Sequence, residues 1–448
     1  MRRQTRQLLD RSFTVSGVLA VVLMAAALTL LLGPIFARGV GAIVFTGTVE
    51  HRRLLLERFE RGPRARLEAE IAAAREASAP VYRMLEAFEA ELNAGASTRR
   101  RQFMPRLREL KKEVFTLLGP DPTGMRPILM RDQYGQTRWE RAQLKLARVL
   151  QREEWDYTDT SRAGVRVLKP RVADFAGTSL EPLFPYLEQN LARMLQPRRT
   201  VYWQFFTDVS FDSHFFGGIW PEVLGTFYLT VGAMVFAIPM GVIAAIYLTE
   251  YATENRFVGL LRTFISTLSG VPSIVFGLFG LAFFINTLRV SPAKSVLAGS
   301  LTLALMILPT VIRAAEEAIR AVPQTYKEAA LSLGAGRWHT VCTVILPAAL
   351  PGILTGIVIS MGRAAGETAP IIFTAAVSVG QPLGLRQLFS QPTPALSWNI
   401  YNLATEHEAV DEIRHVQYGL VLTLVALVLA LNLAAIVLRA RVAKRLRG

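Results

Sequence analysis

Cysteine and histidine are scarce in this sequence, which has one cysteine, Cys342, and five histidines spread over 448 residues. A single cysteine excludes an intramolecular disulfide, and histidines this far apart form no sequence-local metal motif. The apolar segments also lack HExxH, GxSxG and paired-aspartate arrangements, and the chain has no GxxxxGK[ST] phosphate loop. The residues therefore argue against a zinc or redox enzyme, an intramembrane hydrolase and an ATPase, and we expect no catalytic or metal-binding residues.

Charged residues are also few. They make up 19% of the chain, against 51% hydrophobic residues and a mean hydropathy of +0.32. This balance is typical of a membrane protein. The net charge of +15 is compatible with nucleic-acid binding, but membrane proteins collect Lys and Arg in cytoplasmic loops and tails. We therefore expect the lipid bilayer, and no nucleic acid, as a partner.

The first long apolar segment covers residues 13–36 and carries no charge. At about 1.5 Å per helical residue it is long enough to cross a hydrocarbon core of roughly 30 Å. A signal peptide has a shorter apolar region of about 7 to 15 residues. Residues 1–37 are therefore predicted to form a basic cytoplasmic N-terminus and a retained first transmembrane helix.

Residues 38–219 differ from the apolar segment before them. They are rich in charged and helix-favouring residues, are interrupted by Pro and Gly, and contain no apolar span. This pattern predicts a large, mainly helical insertion domain between the first and second transmembrane helices. Nothing in its residues indicates a chemical activity.

Five further apolar spans are predicted in the rest of the chain. Six spans in total return both ends of the chain to one side of the membrane. Because Lys and Arg prefer the cytoplasmic side, both termini are predicted to be cytoplasmic. The insertion domain is then in the periplasm of a bacterial cell, and the protein is in the inner membrane. The core of five spans is then 220–440, followed by a basic cytoplasmic tail at 441–448. The predicted spans are 222–248, 260–288, 293–312, 350–379 and 417–438.

A loop at 316–347 separates the fourth and fifth spans. It holds a short helix that begins at Glu328-Ala329-Ala330, and Leu333 gives it an apolar contact. Gly334 lets the chain turn sharply, and Trp338 adds a large amphipathic side chain. A partly apolar helix held outside the bilayer requires a partner groove.

These residues follow the pattern EAA, three residues, Gly, nine residues, Ile, one residue, Leu-Pro, except that Val344 replaces Ile. The chain thus resembles the transmembrane subunits of ABC importers. The resemblance implies an all-α integral membrane protein with the six transmembrane helices of the type I ABC importer permease fold. It also implies that the loop docks on an ATPase subunit, with the coupling residues Glu328, Ala329, Ala330, Leu333, Gly334, Trp338, Leu346 and Pro347.

The predicted fifth span contains a charge pair. Arg363 lies near the midpoint of 350–379, and Glu367 follows four residues later on the same helix face. A charge at that depth costs about 2.5 to 3.5 kcal/mol on insertion scales and normally faces a bundle interior or a water-filled path. Pro370 is expected to kink or open the helix beside Glu367. We predict that Arg363, Glu367, Thr368 and Pro370 form a translocation pathway or gate; a pair that only pins helices together is the alternative.

Three strings narrow the resemblance to the phosphate-specific permeases of the PstA type: LTEYA at 248–252, SGVPSIVFGLFG at 269–280 and GRAAGETAP at 362–370. The resemblance implies a heterodimer with a second permease of the PstC type, two copies of an ATPase that uses ATP and Mg²⁺, and a periplasmic phosphate-binding protein. This chain itself is expected to bind no cofactor. The alternatives are a PstC-type permease, a permease for sulfate or molybdate, and a membrane sensor or scaffold with a periplasmic domain.

Overall fold

The computed structural model describes residues 3–119, 137–156, 164–211, 214–253, 255–407 and 410–446. Parts of the predicted N-terminal segment (1–2), insertion (120–136, 157–163 and 212–213) and tail (447–448) lie outside the described residues. The chain divides into two compact units. Ile43–Tyr202 with His214–Phe216 form one, called the insertion domain below, and the rest forms the other, called the membrane unit.

Helices dominate both units, and short strands occur between them. The strands are β1 Val44–Gly47, β2 Gln151–Asp156, β3 Val165–Pro170, β4 Arg198–Val201, β5 Ser210–Phe211 and β6 Phe216–Gly217. The helices are α1 Arg3–Val40, α2 Val49–Phe59, α3 Arg64–Ala94, α4 Ser97–Leu118, α5 Trp139–Leu150, α6 Leu183–Leu195, α7 Trp220–Ile246, α8 Arg256–Leu268, α9 Ser273–Gly280, α10 Val296–Arg320, α11 Gln324–Ser332, α12 Arg337–Thr340, α13 Leu346–Gly366, α14 Ala369–Thr374, α15 Leu396–Thr405 and α16 Val410–Leu446.

The insertion domain has a hydrophobic core of its own. On α3 the residues Val81, Leu85, Phe88 and Leu92 recur at helical spacing and are buried. They pack with the apolar faces of α4 and α6, and Phe175 meets the ring of Phe88 edge to face at 6.0 Å. Two antiparallel pairs, β1 with β4 and β2 with β3, complete the domain.

Five helical segments of the described residues are long and apolar enough to cross a membrane: Arg11–Val40, Trp220–Tyr251, Val296–Arg320, Arg337–Gly366 and Val410–Arg441. Two shorter helices, Arg256–Leu268 and Ser273–Thr287, pass the same criterion as a pair, but a 103° bend separates them. Counting the bent pair as one span gives the six spans predicted from the sequence.

The third span is broken where the sequence predicted one continuous segment at 260–288. Residues 269–272 separate α8 from α9, and Pro272 has the extended angles φ −56° and ψ 137°. Proline has no N–H to continue the helix, and it pushes the residue before it out of the helical region. Pro272 therefore produces a full break in the helix.

Close helix packing in the membrane unit depends on small residues. A Cβ on Gly241 of α7 would lie 2.6 Å from Val311 Cγ1 of α10. On α13, a Cβ on Gly352 would lie 2.7 Å from the Ala318 Cβ, and one on Gly356 would overlap the Ala314 Cβ. The spacing of Gly352 and Gly356 thus lets α13 approach α10 closely.

The first helix lies apart from this packed core for most of its length. No residue in its most apolar stretch is buried inside the described protein. Only its end packs closely, because Arg38 Nη1 donates to the hydroxyl of Tyr418 on α16 at 2.6 Å and Gly39 sits against Leu422. Its other surfaces are apolar, as a lipid-facing helix requires.

Candidate functional site

The predicted coupling loop forms a helical hairpin of α11 and α12. Gly334 follows α11 with φ +84°, a left-handed conformation, and its N–H donates to Leu331 O at 3.0 Å while that of Ala335 donates to Ala330 O at 3.1 Å. A Cβ on Gly334 would meet nothing within 4 Å. Glycine is therefore required here for its backbone conformation and not for space, as predicted.

No residue of α11 is buried. The side chains of Leu333 and Trp338 are 89% and 66% exposed, and Tyr326 and Leu331 are exposed as well. The carboxylate of Glu328 is exposed too, and it has no hydrogen-bond partner within the described residues. An apolar surface around one available carboxylate is typical of a docking surface for another protein.

The rest of the predicted motif connects this hairpin to the membrane. Ala329 is exposed and Ala330 is half-buried. Leu346 and Pro347 form the first turn of α13, where a proline lacking its N–H is tolerated. Leu346 also packs against a buried cluster that contains Ala245 of α7 and Ile319 of α10.

An ion pair ties α11 to the end of the second span. The Nζ of Lys327 lies 2.5 Å from Oε2 of Glu250, and the two side chains are 27% and 11% exposed. Glu250 lies in the π-helical segment Tyr247–Tyr251 that continues α7. The pair therefore joins α11 directly to the end of α7.

A second cation ties the same end of α7 to its neighbours. Arg262 of α8 donates through Nη2 to the carbonyl of Leu248 at 3.0 Å, and its Nε lies 3.9 Å from Oε1 of Glu316 on α10. The LTEYA string quoted above thus lies where α7, α8, α10 and α11 are joined. Its position indicates a mechanical role, which the sequence motif alone did not reveal.

The charge pair of the fifth span is formed as predicted. Arg363 Nε lies 3.4 Å from Glu367 Oε1, with the side chains 42% and 21% exposed. The helix that holds the pair, however, ends earlier than the predicted span 350–379. Its last helical residue is Gly366, so Arg363 lies in the last turn of α13 and not near the middle of a helix.

The helix ends beside Glu367 for a local reason. Pro370 has no N–H to donate to the carbonyl of Gly366, and Glu367 takes the extended angles φ −76° and ψ 132°. Thr368 occupies the N-cap position of the short helix α14 without a side-chain hydrogen bond, and Pro370 lies in its first turn. The expected opening beside Glu367 is confirmed. No described atom comes within 3.4 Å of a Cβ at Gly362 or Gly366, so helices do not approach closely there.

The two broken helices pack against each other. A Cβ on Gly277 of α9 would lie 3.0 Å from both the carbonyl of Ala369 and the Cα of Pro370. The SGVPSIVFGLFG and GRAAGETAP strings therefore meet in the fold. Non-helical backbone at membrane depth is tolerated where protein or a cavity covers it, so this contact is a candidate site for a pathway.

Buried polar residues beyond the predicted set fix this region. Ser397 Oγ donates to the carbonyl of Glu367 at 3.1 Å, and Asn399 Nδ2 donates to Glu222 Oε1 at 3.0 Å and to Ser378 O at 2.9 Å. Lys294 Nζ donates to Ile372 O at 2.7 Å. Sequence reasoning missed these residues; the only available signal was their polarity inside or beside apolar spans.

Metal chemistry has no visible support in this arrangement. In the described part of the chain, no group of three or more His, Cys, Asp or Glu side chains is placed to hold a metal ion. Apart from Glu328, the charged groups described above pair with each other or with backbone carbonyls, and these pairs position the helices.

Comparison with known proteins points to one family. Residues 237–448 match the family described as binding-protein-dependent transport system inner membrane component. YqgI of Bacillus subtilis strain 168, a probable ABC transporter permease protein, is 36% identical over 245 residues, which are 52% of this chain and 81% of that protein. The phosphate transport system permease protein PstA 1 of Mycobacterium tuberculosis strain H37Rv is 35% identical over 250 residues, 56% of this chain and 78% of that protein.

Among solved structures, an inward-facing MetNI methionine ABC transporter matches 50% of this chain and 94% of its own chain, with 18% sequence identity and a TM-score of 0.39.

Proposed function

The chain belongs to the family of binding-protein-dependent transport system inner membrane components and is a permease subunit of an ABC importer; from this premise we propose that its cargo is phosphate. The cargo assignment is supported by the 35% identity with the phosphate transport permease PstA 1 of M. tuberculosis and with PstA of Mycobacterium leprae. In this proposal the chain is the PstA-type half of a pathway completed by a PstC-type permease.

The observation that carries the coupling role is the exposed surface of the α11–α12 hairpin. Leu333 and Trp338 offer apolar contacts, and Glu328 offers a carboxylate with no partner in the described protein. We infer that this surface docks on an ATPase subunit, two copies of which serve the two permeases. ATP and Mg²⁺ are used by those subunits, and this chain binds no cofactor.

The proposed topology follows the distribution of positive charge. Both termini and the α11–α12 hairpin are cytoplasmic, since Arg256, Arg320 and Arg337 lie on the same side as that hairpin in a six-span arrangement. The insertion domain is then periplasmic, on the side from which a phosphate-binding protein delivers its cargo. The chain is a multi-pass membrane protein with the lipid bilayer as its surroundings.

The proposed mechanism is alternating access. Closure of the ATPase pair displaces α11, and the Lys327–Glu250 ion pair passes this displacement to α7. The breaks at Pro272 and Glu367 let the packed α9 and α14 segments rearrange, because no continuous helix resists the movement. Arg363 stands beside the second break with a partly exposed guanidinium, a group whose planar fork suits phosphate oxygens.

The cargo is tested by uptake into proteoliposomes that hold this chain with its cognate permease, ATPase and binding protein. We expect ATP-dependent uptake of radiolabelled phosphate that excess sulfate or molybdate leaves unchanged. The variant Arg363→Gln distinguishes two roles of Arg363, contact with the cargo in the translocation pathway and structural pinning of helices. If Arg363 contacts cargo, the KM for the phosphate-loaded binding protein or kcat changes at normal complex yield; if it only pins helices, complex yield falls and the surviving complexes transport normally. Uptake of sulfate in place of phosphate would reject the cargo assignment.

A further inference from the structure

The insertion domain contains a small cavity lined by arginines. Its volume is about 110 Å³. This volume is well above the roughly 10 to 15 Å³ that one buried water requires, so the cavity has room for a compact group of heavy atoms. Four arginines and a single carboxylate line it, beside apolar and glycine residues: Arg52, Arg61, Arg66, Arg198, Glu70, Leu55, Leu67, Gly62 and Pro63.

The one carboxylate is already engaged. Glu70 accepts from Arg52 Nε at 2.7 Å through Oε2 and lies 3.3 Å from Arg66 Nε through Oε1. Arg52 also donates to the carbonyls of Gly47 at 3.3 Å and Gln196 at 2.8 Å. Arg52 and Glu70 therefore neutralise each other and form a fixed wall of the cavity.

Arg66 and Arg198 leave a surplus of positive charge around the cavity. Arg66 shares the carboxylate that Arg52 already neutralises. Arg198 is exposed, and its guanidinium makes no hydrogen bond or ion pair with any other described residue. With no second carboxylate in the lining, an anion is the complementary occupant.

The start of α3 adds to this attraction. The turn that leads into it is fixed by positive φ angles at Glu60 (54°) and Gly62 (118°), and the Arg61 N–H donates to Leu55 O at 3.2 Å. No side chain caps α3, and its first turn has no acidic residue. Its first backbone N–H groups therefore lack an intrahelical acceptor, and an anion is favoured at this positive end of the helix.

We propose that this cavity binds a compact oxyanion group, with the oxygens of a phosphate held by Arg66, Arg198 and the start of α3. The guanidinium fork matches two oxygens of such a group at once. Free phosphate and the headgroup of an anionic lipid share this chemistry. The site goes beyond the proposed transport function, because it lies in the insertion domain and stands on this cavity alone.

Equilibrium dialysis of radiolabelled inorganic phosphate against the full chain in nanodiscs of zwitterionic lipid tests the site. The assay contains no ATPase, binding protein or second permease, so its result is independent of uptake. Arg198→Gln should weaken phosphate binding about tenfold or more. The matched control is Arg199→Gln, because the next residue of β4 points to the opposite face of the strand and does not line the cavity.

A further arm identifies the source of the bound anion. In nanodiscs of anionic lipid, displacement of phosphate from the wild type identifies a lipid headgroup as the occupant, and unchanged binding identifies free phosphate. Undetectable binding to the wild type at millimolar phosphate, or equal losses in Arg198→Gln and Arg199→Gln, would overturn the proposal. The variant Arg66→Gln repeats the test at a second arginine of the cavity lining.

Discussion

The ammonium of Lys327 on α11 lies 2.5 Å from a carboxylate oxygen of Glu250, 77 residues earlier in the chain. This pair joins the exposed hairpin to the end of a membrane-spanning run. Both side chains are mostly buried, so the pair is screened less than a surface ion pair.

Reversing one charge of this pair should uncouple transport. We expect Lys327→Glu or Glu250→Lys to lower phosphate uptake per assembled complex about fivefold or more, the factor for roughly 1 kcal/mol, because each leaves two like charges facing each other. ATP hydrolysis should persist. The double variant restores the attraction and should recover uptake; a double variant as inactive as the singles would show that the pair does not carry the coupling.

Gly334→Ala should loosen the end of α11. Space is free around the new Cβ, but the left-handed φ of +84° costs an L-residue about 1 to 2 kcal/mol. Hydrogen exchange of the α11 amides should therefore be roughly 5 to 30 times faster. Gly336→Ala is the control, since Gly336 has an ordinary φ of −68° and equal space; equal effects of the two variants would contradict the strain argument.

Gly356→Ala should destabilise the membrane unit. Its new Cβ overlaps that of Ala314, and overpacking of this kind costs about 1 to 3 kcal/mol. The thermal unfolding midpoint of the purified chain in detergent should fall. Gly362→Ala on the same helix is the comparison, because its Cβ would meet Asn432 at 3.6 Å, an ordinary contact, and should leave the midpoint nearly unchanged.

The stability of the insertion domain should depend on pH through Glu50. Burial raises the pKa of this carboxyl to about 7, an effect that nearby Arg53 partly offsets and Glu57 increases. The folded state then holds a proton that the unfolded state releases. The contribution of Glu50 to stability is therefore fully present below pH 4.5 and is lost as the pH rises to about 7. Tyr and Trp fluorescence during urea unfolding of the full chain should show this loss in the wild type and not in Glu50→Gln. An unchanged slope in the variant would assign the dependence to another group.

Local rules predicted much of this structure. The long apolar runs, the turn at Gly334 and the i, i+4 contact of Arg363 with Glu367 depend on residues close in sequence, and each is present. The family resemblance, which rests on a fixed spacing around Glu328, was equally accessible because such a motif is read directly from the chain.

The errors arose where distant residues or competing local effects decide the outcome. A hydropathy pattern does not locate the end of a helix within a continuous apolar run, so the predicted span that contains Arg363 extended past the end of α13. It also does not measure the 103° bend at Pro272. The Lys327–Glu250 and Asn399–Glu222 contacts join residues far apart in the chain, and no local pattern predicts such pairs.

The measurement that tests the central claim most directly is phosphate uptake by cells that lack their own high-affinity phosphate importer and express this chain with its cognate partners. We predict restored, phosphate-selective uptake that collapses in Glu328→Lys at normal membrane levels. The control is Glu406→Lys, since Glu406 is an equally exposed glutamate at the end of α15, and it should transport normally. No phosphate uptake by the correctly assembled wild-type complex, or full uptake by Glu328→Lys, would contradict the account.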